Sequence, residues 1–231
     1  MISDWFDRYS LQARLAPALL SLFPLFLLIA LYSPSLYETA AGLVSLALGC
    51  GVLTLVSHFA RAQGKKIELK LNKKWGGRPT TRFLLSENGE LDEKTRERYL
   101  AYFSQNVPNW ELSDNRKQDI DSAVRWLLER TRDTTRFALI FKENISYGFR
   151  RNCLGMKPVG LIVSFVCLLY SGLQISVLLP DISNANPTYW IGFGVSFLLF
   201  IWWILVVNEI WIREAGDSYA KALLGSVDAF D

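Results

Sequence analysis

The chain has 231 residues, 51% of them hydrophobic, and a formal net charge of only +3. The charge is concentrated, because residues 61–157 hold 21 of the 25 basic residues and 13 of the 22 acidic residues, an excess of 8 positive charges. The three cysteines have no Cys-x-x-Cys spacing and His58 is the only histidine, which excludes a disulfide or zinc scaffold and leaves a His-based metal site without a second histidine. The sequence therefore predicts no metal and no cofactor.

The first predicted membrane span covers residues 15–32. It has no charged residue, and its length of about 27 Å at 1.5 Å per residue matches the hydrocarbon core of a bilayer. Pro17 and Pro24 are tolerated in membrane helices, although they would destabilise a soluble one. A secretory signal peptide is the alternative, and it is disfavoured because no Ala-x-Ala-like cleavage site follows and Asp4 and Asp7 precede the span.

The second predicted span covers residues 37–59 and is rich in small side chains. The pairs Ser45–Gly49 and Ala47–Gly51 are four residues apart, which allows close approach of another helix. Packing within the chain is the first expectation for these pairs, and packing between chains is the alternative.

Two further spans are predicted at residues 159–179 and at residues 189–208. Tryptophans favour the two membrane–water interfaces. The tryptophans near the ends of the fourth span are expected to form such belts: Trp190, Trp202, Trp203 and Trp211.

The distribution of Lys and Arg predicts the topology. The loops 33–38 and 180–188 contain none, whereas the segment 61–157 contains 21. The positive-inside rule then places both termini and this insert in the cytoplasm. We expect an all-α membrane protein with four transmembrane helices and a mainly helical cytoplasmic insert between helices 2 and 3, divided into residues 1–60, 61–157 and 158–231.

Within the insert, the alternating stretch IELKL at residues 67–71 predicts a short strand or, alternatively, an extended linker. The Gly76–Gly77 pair predicts a turn, and Pro79 is suited to open a short helix that carries Phe83 and its neighbours.

Two longer helices are predicted further along the insert. Residues 92–105 place Tyr99, Tyr102 and Phe103 on one face. A helix that ends near Arg132 follows, with Ser113 or Asp114 as its N-cap. Gly148 and Gly155 are expected to bend the segment that leads into the third span.

No catalytic motif is present, so the chain is not predicted to be an enzyme. A P-loop, a Gly-x-Ser-x-Gly elbow and a His-Glu-x-x-His helix are all absent from the sequence. The acidic residues Glu129 and Asp133 stand among arginines, which is typical of a solvated salt-bridged helix face rather than an acid/base pair.

A first basic cluster surrounds the Gly76–Gly77 turn. Glycines allow backbone N–H groups to turn towards an anion, arginine binds phosphate through two parallel hydrogen bonds, and tryptophan stacks on bases. The candidate ligand-binding residues are Lys73, Lys74, Trp75, Arg78, Thr80, Thr81 and Arg82. A cationic collar that binds anionic lipid is the alternative.

A second cluster combines arginines with aromatic residues, the composition of single-stranded nucleic-acid grooves. Its candidate ligand-binding residues are Arg132, Arg136, Tyr147, Arg150 and Arg151. Contact with anionic lipid is the alternative for Arg150 and Arg151, because they lie within ten residues of the third span.

Three polar residues are pore-lining candidates in or beside the spans: Gln174, Asn208 and Glu209. Polar groups within a bilayer face the bundle interior or a watery path. Repeated around a symmetric homo-oligomer, for which a tetramer is favoured, these residues would form rings of the kind that channels use.

Three blocks of the insert resemble a bacterial family of four-span membrane effectors from anti-phage defence operons, and are similar to the channel effectors of Hailong systems. They are WGGRPTTRFL, LLERTRDTTRFALIFKEN and YGFRRNCLGMKP, which occupy residues 75–84, 127–144 and 147–158 and lie outside the predicted spans. The resemblance implies an oligomeric ion channel that depolarises the bacterial inner membrane and causes abortive infection. It also implies control by short oligodeoxyadenylates, made by a nucleotidyltransferase encoded nearby, that hold the channel shut.

The sequence thus leads to the hypothesis of an inner-membrane channel effector whose basic insert binds a nucleotide or short single-stranded DNA. The alternative is a non-channel membrane adaptor whose insert binds a partner protein or anionic lipid. A membrane-bound enzyme is a distant third.

Overall fold

The structure, a computed structural model, describes residues 8–32, 40–85, 91–177 and 187–230, and no side chains for residues 40–48. A π-helical segment, Ser10–Leu15, leads into helix α1. The α-helices are α1 Ala16–Tyr32, α2 Ala40–Lys74, α3 Pro79–Leu85, α4 Glu93–Asn106, α5 Arg116–Arg130, α6 Ala138–Val177, α7 Pro187–Leu205 and α8 Glu209–Gly225, followed by a 3-10 turn, Ser226–Ala229. These residues contain no strand, which confirms the predicted all-helical class for the described chain.

Among the residues that the structure describes, three stretches of helix are long and apolar enough to cross a membrane: Ser10–Tyr32, Ala138–Val177 and Pro187–Leu205. They contain the predicted first span and most of the predicted third and fourth spans, and they indicate a membrane protein. Residues 178–179 of the third span lie outside the described residues, and α7 ends at Leu205, before the predicted end of the fourth span at residue 208. The second predicted span, residues 37–59, falls on α2 but begins outside the described residues.

The chain divides into two compact units. The apolar unit comprises Met1–Ile67 and Gly148–Trp211, and the charged unit comprises Glu68–Tyr147 and Ile212–Asp231. The predicted segment 158–231 is therefore divided, because α8 is amphipathic and buries Leu223 and Leu224 in the core of the charged unit.

The prediction of a strand or extended linker at residues 67–71 is wrong, because these residues lie within α2. The alternation that favoured a strand also places Ile67 and Leu71 four residues apart, on one helical face. Leu71 is buried and Leu69 is 68% exposed, which is the helical arrangement.

The charged unit is a small helical bundle. Pro79 opens α3, as predicted, and this helix carries Phe83, which is fully buried. Helix α4 buries Tyr99 and Phe103 and is capped by Asp92, whose side chain accepts a hydrogen bond from the Thr95 amide. Helix α3 packs on α4 and α5.

The N-cap of α5 is Asn115 rather than Ser113 or Asp114. Asp119 in the first turn accepts hydrogen bonds from the Ser113 amide and hydroxyl, both at 2.7 Å. The side chain of Ser113 is thereby used before the helix begins.

In the apolar unit, glycines mark close helix contacts. Helix α6 continues without interruption through Gly148 and Gly155, where bends were predicted. A Cβ atom added at Gly155 would lie 2.6 Å from the backbone N of Gly64 on α2, so the two backbones approach closely there. Trp203, predicted in an interfacial belt, is instead fully buried in a core with Cys153 and Met156.

Candidate functional site

The Gly76–Gly77 turn connects α2 to α3. Both residues have positive φ angles, +81° and +154°, in the region that glycine tolerates best. The Lys117 Nζ atom of α5 donates a hydrogen bond to the Gly76 carbonyl at 3.2 Å. Lys117 is thus a further cation at this turn, brought there from a distant part of the sequence.

The residues that follow the turn hold the bundle together. The Thr81 hydroxyl donates to the Asp121 carboxylate on α5, and Arg82 forms an ion pair with Asp217 on α8. Pro79 lies against Gly216, where a Cβ atom would approach it to 3.2 Å. The structure therefore assigns packing roles to Thr81 and Arg82, which the sequence placed in a ligand site.

Exposure divides the first predicted cluster. Thr80 is buried, at 5% exposure, like the neighbouring Thr81. Lys73, Lys74 and Arg78 are exposed and Trp75 is half-buried. These four members of the cluster present surface to a ligand.

The second predicted cluster is divided between the two units. Arg132, Arg136 and Tyr147 belong to the charged unit, whereas Arg150 and Arg151 belong to the apolar unit.

Three members of this cluster have structural contacts that sequence reasoning missed. The Tyr147 ring is buried and stacks on Tyr219 at 6.2 Å, so it does not present a face to a base. Arg150 donates a hydrogen bond to the Trp211 backbone carbonyl at 2.7 Å, and its guanidinium lies over the Trp211 ring. Arg151 is 8% exposed, and its Nε donates to Asn152.

The turn between α5 and α6, residues 131–137, presents the remaining arginines. Asp133 organises this turn: hydrogen bonds from the Thr135 hydroxyl and from the Arg136 and Thr135 amides lower the pKa of its carboxyl. Arg132 forms an exposed ion pair with Glu129 at 2.6 Å. Arg136 donates to the Ala229 carbonyl at 2.9 Å and lies over the Phe230 ring.

Two open grooves border the start of α6. The first, of about 270 Å³, has Arg136 and Lys221 at its wall, together with Ser226, Gly225 and apolar residues. No carboxylate is among its described lining residues. We call it the Arg136–Lys221 groove. The second, of about 310 Å³, contains Arg132 and Asn144 but also Glu129.

The charged unit does not have the positive excess of residues 61–157, because its boundaries differ from those of that segment. The charged unit contains 15 and 2 basic residues in its two segments against 13 and 4 acidic ones, so it is balanced at 17 each. The positive excess lies in the adjoining parts of the apolar unit, residues 61–67 and 148–157, which hold six basic residues and no acidic one. They are Arg61, Lys65, Lys66, Arg150, Arg151 and Lys157. We call them the basic collar.

The predicted pore residue Asn208 has a structural role at the break between α7 and α8. Its Oδ1 accepts from the Trp211 amide at 2.9 Å, which caps α8, and its Nδ2 donates to the Leu205 carbonyl at 3.1 Å. Lys157 donates to the Val207 carbonyl at 2.7 Å and so supports the same break. Gln174 is half-buried and Glu209 is exposed, and a pore role for them stays a prediction.

Within the described residues, no group of three or more His, Cys, Asp or Glu side chains is arranged to hold a metal ion. Comparisons with protein-family models, with curated proteins and with solved structures find no match to this chain.

Proposed function

We propose that this chain is an ion-channel effector of the bacterial inner membrane, with four spans and with both termini and the charged unit in the cytoplasm. The three long apolar helices support membrane insertion. The basic collar supports the orientation, because Lys and Arg accumulate on the cytoplasmic side. The three sequence blocks that resemble anti-phage defence effectors support a role in membrane depolarisation and abortive infection.

The ligand is a nucleotide or a short oligodeoxyadenylate, and its site is the Arg136–Lys221 groove. One observation carries this assignment: two cations line a groove that has no carboxylate among its described lining residues, in a unit whose basic and acidic residues are equal in number. Arginine offers a phosphate two parallel hydrogen bonds and lysine adds a point charge.

Gating uses helix α6, which supplies residues to both units as one uninterrupted helix, Ala138–Val177. Its first turn lines the ligand groove through Leu139 and Ile140, and its second half is apolar. A ligand shifts the closed and open populations only by binding one of them more tightly. The channel is a homo-oligomer, for which a tetramer is favoured, and a neighbouring nucleotidyltransferase supplies the ligand.

Charge reversal at the groove tests the site. We expect Arg136→Glu combined with Lys221→Glu to weaken binding of a short oligodeoxyadenylate by more than about tenfold, since two phosphate contacts become repulsive. Arg125→Glu is the matched control, because Arg125 is an exposed arginine of the same unit that lines neither groove. Calorimetric affinities that are equal for the two variants would remove this groove from the account.

A second candidate function is a non-channel adaptor that is held at anionic lipid and binds a partner protein. The basic collar favours it, since juxtamembrane Lys and Arg attract anionic lipid at about 1 kcal/mol each. Liposomes that stay impermeable with and without oligodeoxyadenylate, together with binding that depends on phosphatidylserine content, would support the adaptor.

A further inference from the structure

Two glycine contacts define how α6 and α7 pair within the apolar unit. A Cβ atom at Gly160 would lie 2.1 Å from the Trp203 ring, and one at Gly192 would lie 3.2 Å from the Ser171 Oγ. Ser171 follows Gly160 by eleven residues, and Gly192 precedes Trp203 by eleven. The two helices are therefore antiparallel and in register over about 16 Å.

Polar side chains line this pairing, which we call the α6–α7 seam. Ser164, Cys167 and Ser171 occupy one face of α6 and are 0%, 3% and 0% exposed. Ser196 of α7 is also fully buried. It lies level with Cys167, because each is seven residues from the Gly160–Trp203 contact.

The described part of the seam contains several buried polar atoms that reach no hydrogen-bond partner. Among the described residues, the hydroxyls of Ser164, Ser171 and Ser196 are buried without a hydrogen-bond partner. The same holds at the two ends of the seam for the Trp203 Nε1 and the Tyr32 hydroxyl. The Tyr32 and Ser171 hydroxyls lie next to each other beside Gly192, so they are polar neighbours at that end of the seam.

Other serines of the same unit behave differently. The hydroxyls of Ser21, Ser57 and Ser176 each donate to the carbonyl three residues earlier in their own helix, at 2.8, 2.7 and 2.8 Å. Buried polar groups are nearly always satisfied, and hydrocarbon offers no alternative partner. A continuous set of unsatisfied groups between two membrane helices therefore points to a polar ligand that enters the seam.

We propose that water enters the α6–α7 seam as a hydrogen-bonded line and that this line is the conduction path of the channel. The second part rests on the proposed channel function. Serine hydroxyls and an indole N–H carry no net charge, so the path suits water and small hydrated monovalent ions. It lies inside each chain, whereas rings of Gln174 or Asn208 would surround an oligomer axis.

The native Cys167 reports directly on water in the seam. A thiol reacts with a methanethiosulfonate as the thiolate, which forms in water and not in hydrocarbon. The full chain with Cys50→Ser and Cys153→Ser is reconstituted in liposomes and incubated with methanethiosulfonate ethylammonium. We expect Cys167 to be labelled. In the Cys167→Ser background, Leu169→Cys is expected to stay unlabelled, because Leu169 is 50% exposed on the outer surface of α6. Equal inertness of the two thiols would overturn the inference.

Removal of the seam hydroxyls gives a second test. Ser164→Ala, Ser171→Ala and Ser196→Ala together are expected to slow labelling of Cys167 by about tenfold or more, as the line loses its partners. Ser176→Ala, which removes a serine hydroxyl bonded within its own helix, is expected to leave the rate unchanged. Equal rates in the triple variant and in this control would overturn the water line.

Ion flux separates the two parts of the inference. Labelling of Cys167 is expected to block flux through the channel. Labelling that leaves flux unchanged would overturn the seam as the conduction path. Labelling in liposomes that show no flux under any condition would contradict the proposed channel function and would still support the water line.

Discussion

The two units of the chain differ in how polar side chains at helix contacts are satisfied. In the charged unit, two polar side chains at helix contacts have partners from distant parts of the sequence: Thr81 pairs with Asp121 and Arg82 with Asp217. In the apolar unit, helices meet through glycines and leave several hydroxyls unsatisfied. Specificity in the charged unit therefore comes from ion pairs and caps. In the apolar unit it comes from backbone approach, as expected where lipid removes the hydrophobic driving force between helices.

The largest effect is expected from a substitution that prevents the close approach of the α2 and α6 backbones. Gly155→Val places a side chain 2.6 Å from the backbone N of Gly64, an atom that cannot move aside as a flexible side chain can. We expect the free energy of unfolding to fall by about 4 kcal/mol or more, or the folded protein to be lost. Thermal unfolding in detergent and size-exclusion chromatography measure this loss.

Gly194→Val is the control for that substitution, because a Cβ at Gly194 meets no atom within 4 Å. It is expected to remain folded. If both variants unfold at the same temperature, glycine packing does not determine the structure of the apolar unit.

Removal of one ion pair tests the charged unit. Arg82→Ala leaves Asp217 without its α3 partner, and the Arg82 side chain is only 13% exposed. We expect a loss of about 3 kcal/mol in the free energy of unfolding. Arg78→Ala, four residues earlier and exposed, is expected to change it by less than about 0.5 kcal/mol. A similar loss in both variants would contradict the packing role of Arg82.

Substitutions of Asn208 test whether its side chain caps α8. Asn208→Ala removes the acceptor for the Trp211 amide, and we expect a destabilisation of about 1 kcal/mol. Asn208→Asp keeps an acceptor at the N-terminus of α8 and is expected to retain stability. Thermal unfolding of the three proteins decides the role, and a fully stable Asn208→Ala would exclude the cap.

The smallest expected effect concerns pH. The hydrogen bond from the Thr95 amide lowers the pKa of the Asp92 carboxyl, so the folded state holds this proton less tightly than the unfolded state. The stabilisation is present above the ordinary value of 3.8 and is lost as the pH falls below it, through the folded-state pKa. Asp92→Asn caps without titrating, so its stability between pH 5 and pH 3 should fall less than that of the unchanged protein. Parallel pH dependences would contradict this account.

Local signals predicted most of the helices. Pro79 after Gly76–Gly77 predicted the start of α3 because proline suits the first helical turn and glycine the positive φ before it. The strand prediction at residues 67–71 failed because alternating and helical periodicity coincide over five residues. The length of α2 removes that ambiguity.

Nonlocal pairing explains what the sequence did not reveal about the site. Arg82 was a phosphate candidate by composition, but its partner Asp217 is 135 positions away. The positive excess of residues 61–157 does not carry over to the charged unit, because the unit also includes Ile212–Asp231, which has four acidic residues and two basic ones. Lys221 was missed for the same reason, since it reaches the Arg136 groove only after α8 packs on the bundle.

Ion flux through liposomes that contain the purified chain tests the central proposal most directly. We predict a monovalent-cation flux that changes when a short oligodeoxyadenylate is added on the side of the charged unit. Arg136→Glu combined with Lys221→Glu should abolish the response to the oligonucleotide, and Arg125→Glu should not. A bilayer that remains impermeable with every protein, with and without oligodeoxyadenylate, would contradict the channel function.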